Sequence, residues 1–401
     1  MKVCLATLIV LACCAIPLAS ITRGGSVMSI TLDPGDIERQ AAPVTATVTL
    51  PAEIEKGGLL QLESPGVNPI PAQLQRTADG QAVLRFIEPL AHAHQPKTYQ
   101  LTLVKGEAAP GFAFVPHDGY RDLTYAGKGV MRYMNSYDEA NRADTFKPYH
   151  HVFDFAGDDF ITKGAGGSFT HHRGLFFGFN KTQYGDFWHC PDVSQRFDHF
   201  VSDQEFAGPV AARDVSVVNW VGKEGAPVAR DTRGVTVWHI SPTQLLMDWT
   251  ITLEALKDDG LKLDGDPQHA GFHFRAAEEV AQGISGTSGG KATFIRPASA
   301  KFTKNDEWLD LTWAACSFTV KGKPYLVVHM DAPSNPRPIT YSTRAYGRFG
   351  SFFTGQVEKG KPLVLHYRIV VLDAAANPNV TPETLTQMYS DFADPVKVTA
   401  K

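Results

Sequence analysis

Six of the chain's 14 histidines fall between positions 150 and 199: His150, His151, His171, His172, His189 and His199. They stand in aromatic company, in "KPYHHVFDF", "SFTHHRGLFFGFN" and "YGDFWHCPD". Imidazole moves protons near neutral pH and is a ready ligand for zinc, copper or iron. His171, His172 and His189 are therefore candidate ligands of one divalent metal, and His172 and His151 are candidate proton carriers. Asp154 and Asp186 would orient such a histidine or act as its carboxylate partner. No H-E-x-x-H, C-x-x-C or EF-hand spacing accompanies the cluster, so the alternative is a set of histidines filling hydrogen-bond roles around loops.

Other stretches offer binding groups. In strand register His269, Gly271, His273 and Arg275 of "HAGFHFR" share one face, with Phe272 and Phe274 on the other. That pattern predicts the floor of a polar cleft, or else a wet strand face. "SNPRPITYSTRAYGRFGSFF" holds Arg337, Tyr341, Arg344, Tyr346 and Arg348. These could grip a carboxylate or sugar hydroxyls, or pair with surface acids. Tyr149, Trp188 and Tyr346 are candidates for stacking on sugar rings. Arg173, His171 and His189 would add polar contacts.

These residues need a scaffold, and the scaffold reads as β-structure. "APVTATVTLP", "GGLLQLES", "QAVLRFIEPL" and "KTYQLTLVKG" predict a small β-sandwich module over residues 29–105. "GEAAPGFAFVPHDG" reads as a linker or crossover. Residues 117–396 then carry strand after strand, among them "YHHVFDF", "GLFFGF", "GVTVWHIS" and "PLVLHYRIVVL". The whole is predicted to be all-β, its larger part an antiparallel sandwich. In a strand, neighbours face opposite ways, so each His-His pair should give one ring to a shared site. One helix is expected in "VTPETLTQMYSDFA", capped by Thr381, with Pro382 in its first turn and Leu385, Met388 and Phe392 on one face.

Composition sets outer bounds. The 401 residues are 43% hydrophobic and 20% charged, which can bury a core, and the net charge is −4. No basic excess points to nucleic acid or anionic lipid. Residues 1–20 read as a cleaved signal peptide, placing the chain in the periplasm or outside the cell. A lipobox-like "VLAC" makes anchoring at Cys13 the lesser alternative. No apolar run beyond the signal is long enough to cross a membrane. Outside the signal only Cys190 and Cys316 remain, as a disulfide or as two buried thiols.

"PYHHVFDF", "ITKGAGGSFTHHRGLFFGFN", "YGDFWHC", "HAGFHFRAAEEV" and the arginine-rich stretch resemble the PmoA-like family of exported bacterial proteins, a domain of unknown function. His171, His172, Arg173 and Gly174 match its most specific element. The resemblance implies a carbohydrate-utilisation role. Its strand pattern is similar to the supersandwiches of sugar mutarotases and polysaccharide lyases, which is a likeness of fold alone. The oxygenase label attached to that family implies long transmembrane helices, which this sequence lacks. Three functions are expected in order: a hydrolase or lyase acting on a glycoside or modified sugar, a noncatalytic sugar-binding protein, and a metal-dependent oxidase.

Overall fold

The computed structural model describes residues 22–49, 59–76, 81–105, 109–281 and 291–401. The expected signal peptide and its three cysteines lie outside the described residues. Nearly all regular structure is antiparallel strand, and the molecule is an all-β sandwich.

Two large sheets face each other. The first has ten strands in the order Lys301–Phe302, Glu307–Leu309, Thr340–Arg344, Arg348–Phe352, Ala270–Arg275, Leu175–Phe179, Tyr149–Val152, Lys128–Met134, Tyr120–Tyr125, Phe112–His117. The second has nine, with Ala211–Val221, Pro227–Ser241, Gln244–Ala255, Leu363–Asp373 and Lys323–Asp331 at its centre. Period-2 alternation sends Phe177, Phe272, Phe274 and Phe349 of the first sheet against Trp220, Trp249, Ile251 and Tyr367 of the second. Phe272, for example, lies 4.9 Å from Trp249 and 4.8 Å from Tyr367 between ring centroids. Each such side chain withdrawn from water contributes about 1.5–3 kcal/mol, so this seam is what holds the two sheets together.

The six strands from Thr22–Asp33 to Lys97–Lys105, with Lys397–Ala400 as a seventh, form a separate sheet with its own core of Ile30, Leu32, Phe86, Tyr99 and Leu101. The last strand, Lys397–Ala400, pairs with Thr22–Asp33, placing Ala400 opposite Ile30. Gln73 of this sheet accepts the N–H groups of Val210 and Ala211, tying it to the larger body.

Part of the expected linker is a strand. Phe112–His117 pairs with Tyr120–Tyr125 at the edge of the ten-stranded sheet, because Phe112 packs on Tyr125 and enters the core. The helix Pro382–Ala393 forms as its sequence predicts, with a Thr381–Thr384 capping box and Leu385 buried. Cys190 and Cys316 are both free and buried, and burial pushes the Cys190 thiol up to about 12.

The candidate site lies on the outer face of the ten-stranded sheet. Alternation there points Tyr149, His151, Phe176, His273, Arg275 and Arg348 away from the sandwich core, yet all six are buried. The connections carrying Phe169, Trp188 and His269 fold back over them.

Candidate metal centre

Strands Leu175–Phe179 and Ala270–Arg275 lie side by side, with Phe179 opposite Ala270. At that shared end the chain leaves one strand through the turn that carries His189 and enters the other through the turn that carries His269. The segment ahead of Leu175 folds across the outer face and brings His171 to the same place. Ring centroids are 4.4 Å apart for His171 and His189, 4.8 Å for His189 and His269, and 5.5 Å for His171 and His269. One nitrogen from each ring lies within 4.8 Å of the other two.

Two of these rings are held by aspartates. His189 Nδ1 is 2.7 Å from Asp186 Oδ2. His269 Nδ1 is 3.0 and 3.1 Å from the two oxygens of Asp266. A carboxylate only accepts, so in the neutral ring Nδ1 carries the proton and Nε2 keeps a free lone pair. Each aspartate is itself held by the backbone. Asp186 Oδ1 accepts the N–H groups of Trp188 and His189, and Asp266 Oδ1 accepts that of Gln268. Burial alone would raise the Asp266 carboxyl, but His269, the Gln268 N–H and the Asn180 amide outweigh it and hold it down at about 2. Asp186 is likewise held below the usual carboxylate range, burial being overcome by His189 and the backbone.

His171 Nε2 is buried without a hydrogen-bond partner. Burial, reinforced by His189 and neighbouring cations, pulls its imidazole down to about 2, so it is neutral at physiological pH. Neutral imidazoles whose far nitrogens are held by carboxylates are the form in which histidine binds metal. Three imidazoles, two of them held by carboxylates, with no fourth protein donor among the described residues match an open, catalytic type of zinc centre, and the same set suits copper or iron. Tetrahedral bonds of 2.0–2.1 Å set ligand nitrogens roughly 3.3 Å apart. The rings would therefore draw inward slightly around an ion.

Around the triad lies a shell of buried groups. His172 is 4.1 Å from His171 and 6.0 Å from His269 between centroids. Neither of its nitrogens has a partner, and burial, then His171 and Arg348, hold it well below the usual histidine range. Trp188 packs on Phe176 at 4.5 Å and His273 at 4.7 Å. Tyr346 stacks on Phe169 at 4.6 Å, 6.0 Å from His172. Gly350 lies across from His273, where a Cβ would meet the imidazole at 2.4 Å. Only glycine leaves room for that ring. Lys163 secures the overlying segment by donating to the carbonyls of Gly164, Gly166 and His172. Lys147, held well below the usual lysine range by burial, donates to the Trp188 carbonyl from below.

The expected site residues divide. His171, His172, His189, His269, His273, Trp188, Tyr346 and Asp186 gather here. His172, expected among the metal ligands, stands beside the triad, and His269 takes the third position. Arg275 is anchored through Nη1 on the carbonyls of Tyr346 and Ala276. Arg173 turns away, donating to the Ala143 and Asp144 carbonyls at the short helix Arg142–Thr145. Arg344 is anchored on the carbonyls of Asn305 and Thr343, and Arg337 on Asp331 and Ala332. His151 sits on Phe160 at 4.0 Å with Nδ1 at 3.0 Å from Thr162, next to Tyr149 but outside the cluster. Asp154 closes a turn on the N–H groups of Gly157, Asp158 and Asp159 and pairs with Lys323. The pairs also split differently from expectation. His150 goes into the core against Trp249, while both His171 and His172 reach the site. Trp188 and Tyr346 are packed inside the shell, so neither presents an open ring face to a sugar. Two surface cavities, of about 370 and 260 Å³, lie elsewhere and include none of the cluster histidines.

Asp266 is a residue of the cluster that the sequence reading did not single out, although a signal for it was present. "DFWH" and "DPQH" are both D-x-x-H, and in both the aspartate folds back on the histidine three residues later.

No curated protein matches this chain. A match to a family of unknown function, DUF6807, spans residues 121–386 and so takes in the triad, both D-x-x-H turns and most of the two large sheets. That match brings no oxygenase chemistry with it. On this coverage the chain belongs to the family of unknown function DUF6807.

Proposed function

We propose that this protein is a metal-dependent enzyme of the hydrolase or lyase type, exported from the cell and acting on a glycoside or modified sugar. The convergence of His171, His189 and His269, two of them oriented by Asp186 and Asp266, carries this reading. A noncatalytic sugar-binding protein would use open aromatic platforms and has no need of such a triad. A bound ion would supply Lewis acidity or an activated water. His172, beside the triad with two unpartnered nitrogens, is the group placed to take or return a proton at the substrate. Trp188, Phe169 and Tyr346 exclude water around it, which strengthens every charge interaction inside. The sugar class rests on the resemblance to exported carbohydrate-utilisation proteins and on the signal-like leader.

A metal-dependent oxidase is the second reading, since an all-imidazole set also binds copper or iron. Turnover of a glycoside panel by the full chain, before and after chelation and after return of zinc, copper or iron, separates the two. Zinc-restored bond cleavage without oxygen uptake supports the hydrolase or lyase. Copper- or iron-restored oxygen uptake supports the oxidase. Undiminished cleavage after complete metal removal would end the metal-dependent reading.

A further inference from the structure

Three buried arginines stand in a row on the outer face of the ten-stranded sheet, the middle one touching His273 of the shell around the triad. Arg275, Arg348 and Arg344 lie on neighbouring strands, with Arg348 directly opposite each of the other two. Their exposures are 0%, 0% and 3%. Like charges directly opposite one another destabilise a sheet, and a buried charge needs a partner. The outer two have some relief: Glu278 lies 3.7 Å from Arg275 and Asp306 lies 3.8 Å from Arg344. Arg348 has no carboxylate within ion-pair distance among the described residues. Among the described residues its side chain makes one polar contact, Nη1 at 3.4 Å from His273 Nδ1.

The atoms left free on these side chains are specific. In Arg348 and in Arg275 both Nε and Nη2 are buried and unpartnered. That edge of a guanidinium forms the two parallel bonds that grip a carboxylate. Three other arginines of this protein use that edge in that way. Arg132 binds Asp122 at 2.6 and 2.9 Å, Arg233 binds Asp231 at 2.7 and 2.8 Å, and Arg368 binds Asp248 at 2.6 and 3.1 Å. Arg348 presents the same edge to no protein carboxylate among the described residues, and Arg275 has only Glu278 Oε2, 3.7 Å from its Nη2 and beyond hydrogen-bond reach. His273 Nε2, also buried and unpartnered, adds a further polar atom on the same face.

We propose that the carboxylate of an acidic sugar, such as a uronic acid, docks on the Nε–Nη2 edge of Arg348, with Arg275 beside it, while the rest of the substrate faces the histidine triad. The inference rests on the metal-centre reading for where the substrate sits and does not need the ion for the arginine contact itself. The row then gains its missing counter-charge from the substrate, and neutral sugars of the same shape are rejected because they leave Arg348 unpaired.

The test is calorimetric binding of methyl α-D-glucuronide and methyl α-D-glucopyranoside, which share a ring and differ in the carboxylate. Both are titrated into the full chain, with metal content measured on the same samples. The expected result is at least tenfold tighter binding of the glucuronide in the wild type. Arg348→Gln loses that preference while keeping its thermal transition and metal content, and Arg348→Lys retains part of it. Equal binding of the two sugars by the wild type, or neither binding, overturns the inference even in a metal-loaded protein. A folded Arg348→Gln that keeps the preference overturns it too. A metal-free wild type that still prefers the glucuronide through Arg348 upholds it and sinks the metal reading instead.

Discussion

His189 and His269 lie 4.8 Å apart between ring centroids, and each has its Nδ1 on an aspartate three residues earlier in the chain. The two turns come from different loops but present their free nitrogens to one point. This repeated arrangement, with His171 closing the triangle, separates the cluster from a chance gathering of histidines.

The aspartates should therefore tune metal affinity without touching the ion. In Asp186→Asn the amide oxygen can still accept from the backbone of Trp188 and His189. The amide nitrogen, however, would face His189 as a donor and push the ring proton onto Nε2. We expect metal affinity to fall about 10–100-fold with the fold intact. Competition titration against a chelator, alongside thermal unfolding, reads both quantities. Unchanged affinity would show that Asp186 only shapes the turn.

Gly350→Ala should disrupt the floor beneath the site. The added Cβ meets His273 Cδ2 at 2.4 Å and the Phe272 carbonyl oxygen at 2.2 Å. Neither the packed ring nor the sheet backbone can yield cheaply, so a loss of about 1–3 kcal/mol is expected. Urea unfolding measures it, and a wild-type midpoint would contradict the packing described for His273.

The triad is also tied to the sandwich core. Gln195 donates to the carbonyls of Phe177 and Phe187 and accepts from Arg233, which forms a two-bond pair with Asp231. Trp220 Nε1 donates to the same aspartate at 2.7 Å. Asp231→Ala leaves the fully buried Arg233 without its counter-charge, and a cost of about 3–5 kcal/mol follows. Chemical denaturation is the check, and a loss below 1 kcal/mol would show that water reaches this pair.

Buried neutral histidines outside the site should make the protein acid-sensitive. His329 donates Nε2–H to the Phe272 carbonyl, and burial holds its imidazole down to about 3. Burial, with Arg132 adding to it, holds His151 at about 3 as well. Unfolded histidine titrates near 6.5. Between these values the unfolded chain binds a proton that the folded chain refuses, so stability falls as pH drops below about 6.5 and is unaffected by these groups above it. At pH 5 the loss is about 2 kcal/mol for each. Urea midpoints at pH 7.5 and 5.0 test this, and His329→Gln should lessen the slope by one proton. Equal midpoints at the two pH values would contradict it.

How far the sequence disclosed this molecule follows from the range of each signal. Strand alternation reports one face at a time, and it correctly separated Phe272 and Phe274 from His273 and Arg275. Local chemistry at the Thr381 cap also announced its helix. Placing His269 beside His171 needed the pairing of two strands nearly a hundred residues apart, and no local pattern carries that register. Arg173 looked like a site residue by its neighbours, yet its guanidinium is spent on the carbonyls at 143 and 144. Arg348 looked like one arginine among several until the strand pairing placed it between two others. The D-x-x-H repeat was a further site signal open to reading from sequence, because an aspartate reaching a histidine three residues on is a local event.

The most direct test is elemental analysis of the purified chain, joined to X-ray absorption at the metal edge, for wild type and for folded His189→Ala and His269→Ala variants. One transition-metal ion per wild-type chain, with a nitrogen-rich first coordination sphere and loss of the ion in both variants, is the predicted result. A wild-type chain that takes up no ion after incubation with zinc, copper or iron, or variants that keep theirs, would contradict the metal centre.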